Sequence, residues 1–550
     1  MKYLSLTFSL FSFFLMSTAQ IPQQKAVDSI FAKWSEPGSP GGSLGIIQDG
    51  KLIYAKGYGL ANLEYDLPNT EKSVFRIGST SKQFTAACIV LLAEQGKLSL
   101  EDKLSSFFPD FPPYADTITV SHLLHHTSGI RDYLQLSYLK GLRGDDYYTD
   151  KDIMKWLVNQ SSLNFSPGDE FVYSNSGYWL LGQIVNKASG MNMAEFAQKE
   201  IFEPLGMNET HFHNDHDQIV KNRASGYAPK REGGYRISMT TLDMIGDGGI
   251  FTTIEDIKKW DDAYYESKVL SKEFWAKMTE KNSLNSGKET SYAAGLFIDT
   301  HKGLNTVSHG GAFVGFRAEL LRFPDQRFTV AIFANRADAS PSRMAYQVAD
   351  IFLKDLYVEE KPETEEPEAV APNDPEYLLE QLTGNYEIEP GVEVKISIEK
   401  DSLFVTQLWN EEHYAIFRTE GNTFSLPTNS KLTFTFTELE ENLTQKLTVS
   451  QGGRKTVTKR KAPVDLSELK LSDYVGAYYS KELDATYHLE LQEGELMARI
   501  GEGKLRKCRF FELTTCDMPM GTATFEKAKG KVTKFMLDSG RVKNLAFEKQ

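Results

Sequence analysis

The sequence predicts an α+β domain, an antiparallel sheet drawn from both chain ends and covered by a helical insertion, followed by two small all-β modules. Three observations predict it. Strand pairs stand at both extremities of the first 357 residues with helical segments between them, a Glu- and Pro-rich stretch closes that region, and short alternating runs follow it.

Each element has its own signal. Ser43 to Ile47 and Leu52 to Lys56 flank Asp49-Gly50, where glycine tolerates the positive φ of a tight hairpin turn. Phe316 to Arg322 and Thr329 to Phe333 read as two more strands, joined through Pro324-Asp325. Strands from both extremities with helices between them form one sheet carrying a helical insertion, which gathers residues distant in sequence. The stretch from Val358 to Pro375 lacks apolar periodicity and reads as an interdomain linker. Beyond it, Val392, Val394, Ile396 and Ile398, and later Leu432, Phe434 and Phe436, alternate with period two. The pattern also repeats: Gly384 to Tyr386 (GNY) returns as Gly476 to Tyr478 (GAY), each followed by an alternating strand and a polar turn. Self-similarity of this kind marks a duplicated unit of about 90 residues. The expected boundaries are 20–357 for the α+β domain, 358–375 for the linker, and 376–462 and 463–550 for the β modules.

Length and composition set the outer limits. The 550 residues exceed one ordinary core, and 41% hydrophobic with 25% charged residues is the balance of a soluble globular chain. A formal net charge of −14 repels phosphate backbones, so no nucleic-acid partner is expected. Lys2, an apolar run to Met16, and small residues Ser17 and Ala19 read as a secretory signal covering residues 1–19. That implies a secreted or periplasmic protein with no membrane span after cleavage. The three cysteines, Cys88, Cys508 and Cys516, have no CxxC spacing, so neither a disulfide scaffold nor a zinc site is expected to hold this fold. Cys508 and Cys516 either pair across adjacent strands or stay as buried thiols.

The chemistry-bearing pattern starts at RIGSTSKQFTAACIVLLAEQGK. Gly78 precedes a helix whose inward residues are Phe84, Ala87, Cys88, Leu91 and Leu92 and which ends near Gly96. Ser79 and Lys82, three apart, share one face at its start, where backbone N–H groups favour developing negative charge. A serine hydroxyl attacks only when a base takes its proton, and a lysine does so only while neutral. SxxK alone is unspecific, because it recurs at Ser137/Lys140, Ser397/Lys400 and Ser467/Lys470. Tyr173-Ser174-Asn175 is the single YxN of the chain, with a phenol suited to relaying protons and an amide suited to a substrate carbonyl or N–H. His309-Gly310-Gly311-Ala312 precedes the Phe316 strand, and its glycines permit close backbone approach. There the N–H of Ala312 joins that of Ser79 as an expected oxyanion hole.

The ordered set SxxK, YxN, HxG resembles the serine β-lactamase and penicillin-binding protein superfamily, in its class C-like branch. The stretches Ile118 to Ile130, SPGDEFVYSNSGYWLLG, Gly246 to Trp260 and GGAFVGFRAELLRFP extend the resemblance over roughly Ser29 to Leu356. The resemblance implies a β-lactamase/transpeptidase-like fold in which Ser79 is acylated, Lys82 and Tyr173 share acid/base work, and Asn175, His309, Gly311 and Ala312 line the substrate. It implies no cofactor and no metal. The two trailing modules resemble D-aminopeptidases, in which eight-stranded lipocalin-like domains follow the catalytic one. Many β-lactamases carry lysine where His309 stands, and an imidazole mostly neutral near pH 7 anchors a carboxylate less well. The expected substrate is therefore a small ester, a D-amino-acid peptide or a cell-wall-related peptide, with weak or no β-lactamase activity. A non-catalytic binding or sensor protein of the same fold is the alternative. Arg317 either supplies a charge or is structural, and His125 and His126 read as structural. The cluster His211 to His216 reads as a polar loop rather than a metal centre.

Overall fold

The terminal strand pairs meet in one sheet. The structure is a computed structural model and describes residues 22–144, 146–266, 268–358, 377–389, 392–408, 412–427, 429–451, 454–462 and 464–550. The signal expected at 1–19 and most of the linker lie outside the described residues. Gly42–Gln48 pairs with Lys51–Tyr58 on one side and with Phe328–Ala334 on the other. The sheet continues through Phe316–Phe323, Leu304–Phe313 and Phe297–His301, all antiparallel. Register is set by burial: Leu44, Ile46, Leu321, Phe323, Val330 and Ile332 pack on Val27 and Phe31 of the N-terminal helical segment, and on Met344, Val348 and Leu353 of Pro341–Leu353. A one-residue slip would turn this apolar set to the opposite face.

The helix after Gly78 departs from the expected one-sided pattern. Lys82–Glu94 is buried nearly all round, including the polar Lys82, Gln83 and Thr85. Those polar groups have internal partners, which makes their burial tolerable. Trp260 Nε1 donates to Gln83 Oε1 at 2.7 Å, Gln83 Nε2 donates to Thr80 O at 3.0 Å, and Thr85 Oγ1 donates to Gly246 O at 2.6 Å.

Both G-x-Y repeats fold within β modules. Eight strands from Gly384–Glu389 to Arg454–Lys461 form a closed barrel, sealed where Tyr386 faces Arg460 across the first and last strands. Nine strands form the second sheet, whose two edge strands, Arg506–Lys507 and Arg509–Phe510, are separated in sequence only by Cys508. That sheet therefore curls almost to closure. The recurring G-x-Y is a structural device in both. Tyr386 OH donates to Leu382 O at 2.9 Å and Tyr478 OH to Tyr474 O at 2.8 Å, each four residues upstream. Gly384 (φ +141°) lies under Arg460 and Gly476 (φ +151°) under Lys549, cations that also cover the two tyrosine rings at 5.1 and 5.6 Å. A Cβ at either glycine would meet that cation. Cys508 and Cys516 are free, buried thiols.

The described residues fall into two compact units. One lies within Met1–Asp102, Leu123–His125 and Tyr178–Glu359 and holds the six-stranded sheet; the other lies within Lys103–His122, His126–Gly177 and Glu360–Gln550. Two pieces of the helical insertion, Lys103–His122 and His126–Gly177, thus group with the β modules, and the rest groups with the sheet. Among the described residues, no helix is long and apolar enough to cross a membrane.

Candidate active site

In the sheet-bearing unit the site grows from Gly78. Its φ of +53° suits glycine, and a Cβ there would lie 2.9 Å from Ala312 N. The tight turn Gly78–Ser81 then runs directly into Lys82–Glu94 and puts Ser79 and Lys82 on one side of the first turn. Lys82 Nζ lies 3.4 Å from Ser79 Oγ. The serine is partly exposed and the lysine fully buried. Lys82 Nζ also donates to Asp247 O at 2.5 Å and stands 5.5 Å from the centre of the Tyr178 ring. A carbonyl and an aromatic face thus orient the amine toward the hydroxyl.

The Asp247 carbonyl is carried by a glycine-rich turn. Gly246 (φ +111°) and Gly249 (φ +98°) bracket it, and a Cβ on Gly246 would come within 2.6 Å of Tyr178 O. Three glycines at 246, 248 and 249 are the sequence signal of such a close approach; Asp247, Tyr178 and Tyr292 were not among the expected site residues.

The strand Leu304–Phe313 supplies the facing wall. Gly311 is pressed against the Gly78 turn so closely that a Cβ would overlap Ile77 O, and Thr80 Oγ1 donates to His309 O at 3.1 Å. This contact brings the Ala312 backbone beside Gly78, as an oxyanion hole built from these two segments requires. His309 itself is 2% exposed. Its Nδ1 lies 2.6 Å from Gly310 O, which only accepts, so Nδ1 carries the proton and Nε2 accepts from Tyr292 OH at 3.0 Å. Burial above all pushes the imidazole down to about 3, so it is neutral at physiological pH. Arg317 turns onto its own hairpin, donating to Val314 O at 3.0 Å and Phe316 O at 2.6 Å.

In the other unit a second cluster surrounds Tyr173 and Asn175. Val172 N–H donates to His126 O at 3.0 Å and Ser174 N–H to His126 Nδ1 at 3.1 Å. The His126 ring lies 4.1 Å from that of Tyr173, so this histidine holds the segment from both its backbone and its ring. Asp132 does the same for Asn175, accepting its N–H at 2.7 Å and its Nδ2 at 2.9 Å on one carboxylate oxygen. Asp132 is buried and was not singled out from the sequence, where a lone aspartate after Arg131 carries no signal. Arg541, from the second β module, lies 4.9 Å from the centre of the Tyr173 ring.

The histidine-rich segment is a separate structure. His211 and His213 flank Phe251, with their ring nitrogens 3.3 Å apart, and burial pushes His213 down to about 4. His216 instead pairs with Asp243 at 2.9 Å. Among the described residues, no three His, Cys, Asp or Glu side chains are grouped to hold a metal ion.

Comparison with known proteins matches this architecture. The family profile described as Beta-lactamase matches residues 27–352. A penicillin-binding protein of Bacillus subtilis (strain 168) is 28% identical over 403 residues, 70% of this chain and 87% of that protein. A D-aminopeptidase of Gluconobacter oxydans (strain 621H) is 27% identical over 317 residues, 58% of this chain and 59% of the relative. The chain thus spans about six tenths of that enzyme's length. Among solved structures, the octameric penicillin-binding protein homologue from Pyrococcus abyssi superimposes with a TM-score of 0.56 at 25% identity, covering 88% of this chain and 99% of that one.

Proposed function

The chain belongs to the Beta-lactamase family, and from that premise we propose that it is a serine hydrolase working through an acyl-enzyme on Ser79. The observation that carries this reading is the buried Lys82 amine 3.4 Å from Ser79 Oγ, held there by Asp247 O. Lys82 takes the serine proton as Oγ attacks the substrate carbonyl, and Tyr173 shares the proton transfer to the leaving group. The N–H groups of Ser79 and Ala312 stabilise the oxyanion, and water then releases the acid and restores the serine. Asn175, His309 and Gly311 line the substrate.

The substrate class follows from His309. A neutral imidazole stands where many β-lactamases hold a permanent cation, which supports an ester or D-amino-acid peptide substrate over a β-lactam. Secretion, read from residues 1–19, fits a cell-wall-related peptide as one such substrate.

A fluorophosphonate probe tests the reading. Intact mass is expected to show one adduct on the wild-type protein, mapped to Ser79, and none on Ser79→Ala. A folded wild-type protein that stays unlabelled overturns it. A panel of p-nitrophenyl esters, D-alanyl peptides and nitrocefin then ranks the substrates, with nitrocefin expected last.

A further inference from the structure

The second β module carries an arginine to the candidate tyrosine. Strands Lys531–Ser539 and Val542–Lys549 are joined by Gly540-Arg541, with Gly540 at φ +52°. The turn is seated on the helical insertion by groups other than the arginine head. Asp132 N–H and Asn164 Nδ2 donate to Arg541 O at 3.3 and 3.0 Å, Lys543 N–H donates to Asn164 Oδ1 at 2.8 Å, and Gln135 Nε2 donates to Ser539 Oγ at 2.8 Å.

The guanidinium is therefore positioned without being consumed by the docking. It lies over the Tyr173 ring, and Nη1 is 3.5 Å from Asp132 Oδ2. That carboxylate oxygen already accepts two shorter bonds from Asn175, and its partner oxygen accepts from Gln135 N–H at 3.1 Å. At 3.5 Å the arginine is oriented by Asp132 rather than tightly paired with it. Its side chain is 45% exposed, so a planar fork suited to a carboxylate faces solvent beside the YxN segment.

We propose that Arg541 is a substrate-recognition residue that binds a free carboxylate on the substrate, so that the preferred ester or D-peptide is an anionic one. This rests on the reading that Tyr173 belongs to the reacting site.

The full-length protein and its R541Q and R541K variants provide the test. N-acetyl-D-alanyl-D-alanine and its C-terminal amide compete with fluorophosphonate labelling of Ser79, and p-nitrophenyl hemiglutarate and p-nitrophenyl valerate are compared in kcat/KM. The wild-type protein is expected to favour the carboxylate member of at least one pair. R541Q is expected to reduce that preference by about tenfold or more, the loss of one charge-assisted interaction, with R541K intermediate. Equal effects of R541Q on both members of each pair, or no carboxylate preference in the wild type, overturn the proposal. Absence of labelling in the wild type overturns the serine-hydrolase reading itself, a distinguishable failure.

Discussion

His309 illustrates how one residue couples the site to stability. Its ordinary value is 6.5, and in the fold burial above all holds it at about 3. Between these values the unfolded chain binds a proton that the folded chain does not, so stability falls as the pH drops from about 6.5 towards 3 and levels off below. His213, held at about 4, acts in the same direction. His309→Gln is expected to flatten the acid limb by a few kcal/mol in denaturant melts taken between pH 7 and pH 4; an unchanged slope would show that His309 protonates freely in the fold. Glu319 has the opposite sign. Burial raises it to about 7 from 4.5, so its contribution is complete below pH 4.5 and is lost as the pH rises through 7. Glu319→Gln keeps an uncharged side chain beside Ser342 and is expected to gain stability at pH 8 but not at pH 4, read from Tm at the two pH values.

At the scale of elements, the site depends on two backbone segments approaching without side chains between them. The strand Leu304–Phe313 meets the Gly78 turn at Gly311, and the turn at Gly246 meets Tyr178 and receives Thr85 Oγ1. Gly311→Val would force the strand away from Ile77 O, moving the Ala312 N–H from its place beside Gly78. The expected outcome is a loss of about a hundredfold or more in kcat, the scale of removing one oxyanion donor. Fluorophosphonate labelling and circular dichroism check it: a folded variant with wild-type turnover would remove Ala312 from the mechanism. Gly248, whose Cβ would have no neighbour nearer than 3.8 Å, is the control glycine, and Gly248→Ala is expected to be mild by comparison.

At the scale of the molecule, the second β module and the 126–177 part of the helical insertion form one packed body through a buried cation. Arg131 is 1% exposed and donates to Gln160, Ser162, Glu482, Lys543 O and Asn544 O. Glu482 also accepts from Ser161 N–H at 2.6 Å, and Tyr487 OH donates to Leu139 O at 2.9 Å. Removing one member of a buried pair leaves the other without its counter-charge, so Glu482→Ala is expected to cost about 3 kcal/mol. The double variant Arg131→Met/Glu482→Leu should recover part of that loss in urea melts. A Glu482→Ala protein as stable as the wild type would sink this account of the docking. The same docking seats Asp132, Asn164 and Arg541, so the module helps to shape the surroundings of Tyr173.

Much of this was legible from local signals. Period-two runs, the Asp49-Gly50 and Pro324-Asp325 turns, and the G-x-Y repeat each encode their element within a few residues, because pleat, turn and corner chemistry are local. The Ser79/Lys82 pair was legible for the same reason, since helical spacing alone puts the two on one face. What tertiary structure alone decided lies in contacts between distant segments: Asp247 O on Lys82, Tyr292 on His309, Asp132 on Asn175, and Arg541 over Tyr173. These pairs are separated by 17 to 368 positions, so periodicity cannot reveal them. A hydrogen bond or ring contact requires two groups to meet, and which groups meet is settled by packing: close strand–turn approach at Gly311, and docking of a β module onto the helical insertion.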